Sequence, residues 1–353
     1  MSAKRIITTI VLLGFLIPSF TAASQQNGGD LDRAVFWLKD QQQTDGGFSN
    51  GFAPESDIGA TSDAILALLF AGEDPTVLKD GDKSPFDFLE VRVGAGEVQG
   101  AGVAAKVVLA LNAAKLDPRS FAAQDLVEAL LKDFDASTGL FGFGPFDSAL
   151  AISALMAVDA DLPEGAVEGM LATRLEDGSF SFSAEPGQIT GDSNTTALAV
   201  QALIAAGFED EIGPSLDYFR STQNEDGGWT YQKPSEFGEE TDANSTALVI
   251  QALNAAGENL VEWGDPMAAL ASLQLENGAF GFSATFPDAN ILATIQAIPT
   301  LAGGTYVEPV APAVVEGRPL SSIMIVASAL LVLIGAGAWI GARYRSRTTG
   351  QGE

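Results

Sequence analysis

The chain has 353 residues, of which 46 are acidic and 18 basic, a net charge of −28, and it contains neither histidine nor cysteine. Without Cys there is no disulfide, thiolate nucleophile or thioester; without His the usual general base, the Ser-His pair and most zinc sites are excluded together. So acidic a surface repels nucleic acid and anionic lipid, so no nucleic-acid partner is expected.

Lys4 and Arg5 precede an apolar run from Ile6 to Ile17, followed by Pro18 and the small residues Thr21, Ala22, Ala23 and Ser24. This is a secretory signal pattern, and residues 1–23 are read as a signal peptide. The run is shorter than the ~20 residues that cross a bilayer.

A repeated phrase follows. An amphipathic helix, written "DLDRAVFWLKDQQ" from Asp30 and "PSLDYFRSTQ" from Pro214, runs into a Gly turn and then an aromatic residue. The turn glycines are Gly46, Gly139, Gly178, Gly227 and Gly278, and the gap between the first two has room for a degenerate copy around Gly94 to Gly102. After each turn comes a second helix. "DIGATSDAILALLFAG" (Asp57–Gly72), "DSNTTALAVQALIAAG" (Asp192–Gly207) and "DANSTALVIQALNAAG" (Asp242–Gly257) are the closest copies. These begin with capping residues, end in Gly and are apolar almost all round, so they are expected to be buried. Six such hairpins cannot each bury an apolar face alone and must stack. Strongly apolar inner helices favour a closed ring over an open solenoid.

"GGTYVEPVAPAVVEGRP" reads as a Pro-rich stalk, residues 305–319. Residues 320–341 carry no charge and are long enough to span a bilayer, and Arg343, Arg345 and Arg347 follow at once. Positive charge stays on the cytoplasmic side. The expectation is a single-pass plasma-membrane protein with its bulk, residues 30–304, extracellular and a cytoplasmic tail of residues 342–353.

The turn segments resemble the QW repeat of squalene and hopene cyclases. Trp37-Leu38, Gln42, Gly46 and Phe48 match it with Phe for the final Trp, and Arg33-Ala34 supply its usual opening. Tyr218, Gln223, Gly227 and Trp229 match with the Trp present; Leu270, Gln274, Gly278 and Phe280 are a weaker copy, and Arg174, Gly178 and Phe180 keep only the turn. The resemblance covers roughly residues 30–304. It implies the α/α toroid shared by terpenoid cyclases, protein prenyltransferase β subunits and cobalamin carriers of the intrinsic factor and transcobalamin type. The fold expected is therefore all-α, six helical hairpins in two concentric layers, plus a C-terminal transmembrane helix.

The residues that the resemblance makes catalytic are not found. Cyclases of this toroid protonate substrate from an Asp-x-Asp-Asp motif, whereas Asp133-Phe134-Asp135-Ala136 and Asp159-Ala160-Asp161-Leu162 offer two carboxylates without the third. Prenyltransferases hold zinc with Asp, Cys and His, two of which this chain lacks. The candidates that remain are Asp57, Asp192 and Asp242, at one aligned position of their repeats, with Asn194 and Asn244 two residues on, and Asp288 one residue out of register. Inner helices of a toroid all start on one side, so these side chains are expected to ring one mouth, as helix caps, as a cation or ligand ring, or as catalytic groups. Trp229 and Tyr231 are candidate aromatic contacts for a sugar or other ligand, with packing the preferred role for both.

On this footing the expected function is ligand recognition or scaffolding without catalysis. A small molecule, glycan or protein is the partner, and no cofactor is required, with calcium and cobalamin left open. The alternative is a terpenoid cyclase-like, prenyltransferase-like or glycoside-processing enzyme on the outer face of the membrane. An aromatic-lined pocket with paired carboxylates inside the ring favours the enzyme, and a filled lumen the scaffold.

Overall fold

Twelve α-helices alternate between two layers of a computed structural model that describes residues 29–305, apart from 186, 188 and 237. The pairs run α1 (Leu31–Lys39) and α2 (Ile58–Phe70), α3 (Pro85–Gly94) and α4 (Ala101–Ala113), α5 (Leu126–Lys132) and α6 (Pro145–Ala157). They continue with α7 (Ala166–Ala172) and α8 (Ser193–Ala205), α9 (Gly213–Thr222) and α10 (Ala243–Ala255), α11 (Pro266–Ala271) and α12 (Ile291–Leu301). Even-numbered helices form the inner layer. Each packs on the next around the ring, and α12 packs back on α2, so the ring is closed. Every outer helix leans on the inner helix of the preceding hairpin, and α1 accordingly rests on α12. The resulting α/α toroid lets residues on all sides of an inner helix leave water, as in α10, where Ala247, Leu248, Val249 and Ile250 are all buried. Each large aliphatic side chain so buried stabilises the fold by roughly 1.5–3 kcal/mol relative to exposure.

The expected signal peptide, membrane helix and tail, and the stalk beyond Thr305, lie outside the described residues. Within the described residues no helix is long and apolar enough to cross a membrane.

The repeated Gln and Gly join one hairpin to the next. Gln223 Nε2 donates to the Gly227 carbonyl at 2.8 Å and to the Trp263 carbonyl of the next hairpin at 2.6 Å. Gln42 reaches Gly46 and Lys83 in the same way. Gln274 closes the circle: it accepts from the Asp30 N–H at 2.7 Å and donates to the Asp30 carbonyl at 2.8 Å. The turn glycines have positive φ, and a Cβ on Gly227 or Gly278 would strike the backbone carbonyl of Gly264 or Arg33 at the start of the following outer helix. Only Gly satisfies both demands.

After each of these turns the first aromatic is fully buried, and its N–H donates to a hydroxyl in the first turn of its own inner helix. The pairs are Phe48 with Thr61, Phe141 with Ser148, Phe180 with Thr196, Trp229 with Thr246 and Phe280 with Thr294, at 2.9–3.0 Å. The helical body also contains three short antiparallel ladders, which the sequence reading did not anticipate: β1 (Phe48–Ser49) with β2 (Ser56–Asp57), β3 (Phe134–Asp135) with β4 (Leu140–Phe141), and β5 (Phe280–Gly281) with β6 (Ala289–Asn290). In the first and third an extended turn exit lies beside the extended N-cap of an inner helix, whereas β3–β4 joins the two sides of the turn after α5; in each case backbone groups that leave water must pair.

Candidate active site

Asp57, Asp192 and Asp242 sit at the starts of α2, α8 and α10, and each Oδ1 accepts the N–H of the residue three positions on, at 2.7 Å. In α8 and α10 the second carboxylate oxygen accepts from the Thr195 and Ser245 hydroxyls. Asp288 departs from this pattern. It is exposed and two residues before the cap, which is Asn290, accepting from the Ala293 N–H at 2.9 Å. Helices α4 and α6 have Gly100 and Gly144 at the cap position and so no side-chain cap.

The first turns of the inner helices surround a cavity of about 420 Å³ at this mouth of the ring. Its apolar wall is built by Phe52, Phe146, Phe182, Leu198, Leu248 and Leu292, together with Leu150. Its polar groups are Asp192, Asn194, Tyr231, Asn244, Gln296 and Lys106. Asn244 Nδ2 donates to Gln296 Oε1 at 2.9 Å, joining α10 to α12 across the rim. Asn194 Oδ1 is buried and has no hydrogen-bond partner among the described residues. Neither Asp242 nor Asp57 lines this surface.

Of the three capping acids, Asp192 is the one that lines the cavity. It is 3 % exposed, and burial pushes its carboxyl up to about 6 against the hydrogen bonds from Thr195 and the nearby Tyr231 hydroxyl, which favour the anion. Burial raises Asp242 to about 6 in the same way, and there the backbone N–H of Tyr231 is among the opposing groups. Tyr231 thus stands between the two acids, its hydroxyl toward one and its backbone toward the other. Burial and the Asp192 charge push the Tyr231 hydroxyl upward, so it stays protonated as a donor. Lys106 reaches across from α4 and donates to Asp63 Oδ2 at 2.6 Å. Burial raises Asp63 and the Lys106 ammonium opposes the rise.

A carboxylic acid that keeps its proton up to about pH 6 while facing an apolar cavity is poised to donate it in that range. Asp192, Asn194, Asn244 and Tyr231 converge here; Asp57, Asp242, Asp288 and Trp229 do not line the space. Trp229 is buried between hairpins. Sequence reasoning missed Phe52, Phe146, Phe182, Lys106 and Gln296. Phe182 alone carried a signal, as the second aromatic after its turn, equivalent to Tyr231. Among the described residues no three acidic side chains group as a metal site.

No curated protein matches the sequence. Among solved structures the chain is similar to an unsaturated glucuronyl hydrolase specific for heparin, at 12% identity and TM-score 0.57, over 80% of this chain and 97% of the other. It is likewise similar to the unsaturated glucuronyl hydrolase of Bacillus sp. GL1, responsible for the degradation of glycosaminoglycan (12% identity, TM-score 0.56, 76% and 94% covered). A third is the type II terpene cyclase MstE from Scytonema (14% identity, TM-score 0.56, 77% and 95% covered). These similar toroids are enzymes, and this corrects the expectation of a non-catalytic recognition or scaffolding protein. The sequence profile described as the prenyltransferase alpha-alpha toroid domain matches residues 5–88, 129–257 and 210–301, most of the chain, and the protein belongs to that family.

Proposed function

We propose that the protein is an enzyme that processes an apolar, unsaturated substrate of the terpenoid kind, with Asp192 as general acid. The observation that carries this reading is a carboxyl raised to about 6 by burial and facing a cavity walled by Phe and Leu. In the step envisaged, the neutral Asp192 carboxyl gives its proton to an alkene carbon, and the π electron pair becomes the new C–H bond. The positive charge left on the adjacent carbon meets the rings of Phe52, Phe146 and Phe182, whose faces attract cations. The Thr195 and Tyr231 hydroxyls steady the carboxylate. Loss of a proton from a neighbouring carbon to that carboxylate restores both the double bond and the acid, and no oxidant or reductant is consumed.

Glycoside processing is the second reading. The unpartnered Asn194 Oδ1, with Asn244 and Gln296 beside it, suits substrate hydroxyls. Hydrolysis by paired carboxylates needs a second acid at the cavity, and Asp192 is the one carboxylate lining it among the described residues.

Deuterium incorporation tests the acid role. The full chain in heavy water is expected to place solvent deuterium on carbon in an acyclic polyprene, detected by mass spectrometry, and Asp192→Asn is expected to place none. Incorporation into an unsaturated uronosyl oligosaccharide instead would select the second reading. Silence with both substrates would sink the assignment of Asp192.

The setting we propose is the outer face of the plasma membrane, with residues 305–319 as the stalk and 320–341 as the single span. Protease added to intact cells should digest the toroid and spare an epitope placed on residues 342–353. Loss of that epitope under the same treatment would reverse the orientation.

A further inference from the structure

The ring has one joint that no other pair of hairpins shares, where its first and last repeats meet. There a second hollow of about 320 Å³ lies between α1, the β1–β2 loop and the start of α12. Its walls hold Trp37 and Phe52 as aromatics, Gln41, Gln43, Asn50 and Asn290 as amides and Ser49 as a hydroxyl, and no charged side chain. Phe52 and Leu292 are walls of both this groove and the central cavity, so the two spaces are neighbours across one partition. Phe52 is 90% exposed at that partition. The loop carrying it is pressed close to α12: a Cβ on Gly51 would stand 3.1 Å from Ile291 Cγ2.

The hydrogen-bonding capacity of the groove is specific. Asn50 Oδ1 is committed to the N–H groups of Phe52 and Ala53, and Asn290 Oδ1 to that of Ala293. Both Nδ2 groups are therefore left as donors without a protein partner among the described residues. Gln41 is the reverse case. Its Nε2 donates to the Trp37 backbone carbonyl at 3.2 Å, which leaves Oε1 as an acceptor in the groove that Trp37 also walls. Donors and acceptors flanking an aromatic face match a polyol, whose hydroxyls do both and whose C–H face packs on a ring. The absence of any cation from the lining disfavours a phosphate or carboxylate, which in a chain of net charge −28 would be repelled unless paired.

We infer that the substrate is amphipathic, with its apolar unsaturated part in the central cavity and an uncharged glycosyl head in the groove at the ring joint. The inference rests on the terpenoid reading of the central cavity and adds the chemistry of the substrate's other end.

Three probes with one tail separate the claims: geraniol, geranyl β-glucoside and geranyl phosphate, titrated against the full chain in micelles by calorimetry. The glucoside is expected to bind about tenfold more tightly than geraniol, the gain of one or two well-placed hydrogen bonds with stacking. The phosphate should bind no more tightly than geraniol. Trp37→Ala, and Asn50→Asp, which keeps the oxygen that holds the Phe52 and Ala53 N–H groups but removes the Nδ2 donor, should each erase most of the glucoside's advantage and leave geraniol binding unchanged. Equal binding of glucoside and geraniol, tightest binding of the phosphate, or an advantage that survives both substitutions would overturn the glycosyl-head proposal. Failure of geraniol itself to bind would instead overturn the reading of the central cavity, so the two failures are distinguishable. Circular dichroism of both variants checks that the ring still folds, since Trp37 and Asn50 are only half-buried.

Discussion

Asp192→Asn is expected to abolish turnover while leaving the protein as stable as before at acidic pH and more stable at neutral pH. Asn caps a helix about as well as Asp, so the bond to the Thr195 N–H is kept. What is lost is the transferable proton. For the wild type, activity governed by this acid should fall as pH rises through about 6, where the carboxyl ionises. The same shift makes a claim about folding. The folded-state value lies above the ordinary 3.8, so between those two pH values the native state holds a proton that the unfolded chain has released. Stability therefore declines as pH rises through that window, and the penalty is complete above about 6. A shift of this size corresponds to about 3 kcal/mol for one residue. Asp192→Asn should remove one such slope and Asp242→Asn another, while only the first abolishes turnover, because Asp242 does not line the cavity. Urea unfolding at several pH values, alongside the deuterium measurement, checks both halves. A variant that keeps full activity would remove Asp192 from the mechanism, and one that loses stability at neutral pH would show that the ionised form is well solvated.

The features legible in the sequence were those fixed by distance along the chain. Gln223 and Gly227 are four residues apart because one amide must reach both its own turn and the next hairpin, and that spacing survives in the letters. The caps Asp57, Asp192 and Asp242 were legible for the same reason. Asp288 was misplaced because "DAN" at residues 288–290 copies "DAN" at residues 242–244, which suggests the wrong register. Thr294 holds the correction: it binds the Phe280 N–H as Thr246 binds that of Trp229, and counting back four residues from each gives Asn290 and Asp242 as the caps. The cavity was not legible, because ring closure assembles it from separate hairpins. Phe52, Phe146, Phe182 and Leu292 are far apart in the chain and meet only across the lumen. Position within the repeat does not decide the outcome either. Phe182 and Tyr231 face the cavity, while Phe143, at the equivalent position, is exposed. Nor could the letters distinguish Asp192 from Asp242, since burial raises both and only one lines the cavity.

Replacing Trp229 by Ala should cost roughly 3–5 kcal/mol of stability, the range for deleting a large aromatic side chain from a close-packed site. The indole has no exposed surface. It lies edge-on to Phe219 with centroids 6.5 Å apart and tilted against Trp263 of the next hairpin at 6.1 Å. Its Nε1 donates to the Phe219 carbonyl at 2.8 Å, so one ring ties the end of its own outer helix to its neighbour. The Arg220 guanidinium sits 3.8 Å above the Trp263 ring and extends the stack toward the surface. Trp229→Phe should be much milder, about 1 kcal/mol for the lost hydrogen bond, because Phe fills the same position in four other hairpins. Consequences for the site follow from the backbone. The extended segment after Trp229 carries Tyr231, whose carbonyl accepts the Ser193 N–H at 2.8 Å, and the Trp229 carbonyl accepts that of Asp242 at 2.9 Å. Loosening this seam should displace Tyr231 from Asp192, so Trp229→Ala should slow turnover even under conditions where the ring remains folded. Trp229→Phe should leave turnover near wild type. Unfolding and turnover of the two variants, measured together, decide whether Trp229 is packing. An Ala variant of unchanged stability that fails to bind geraniol would make the indole a ligand platform instead.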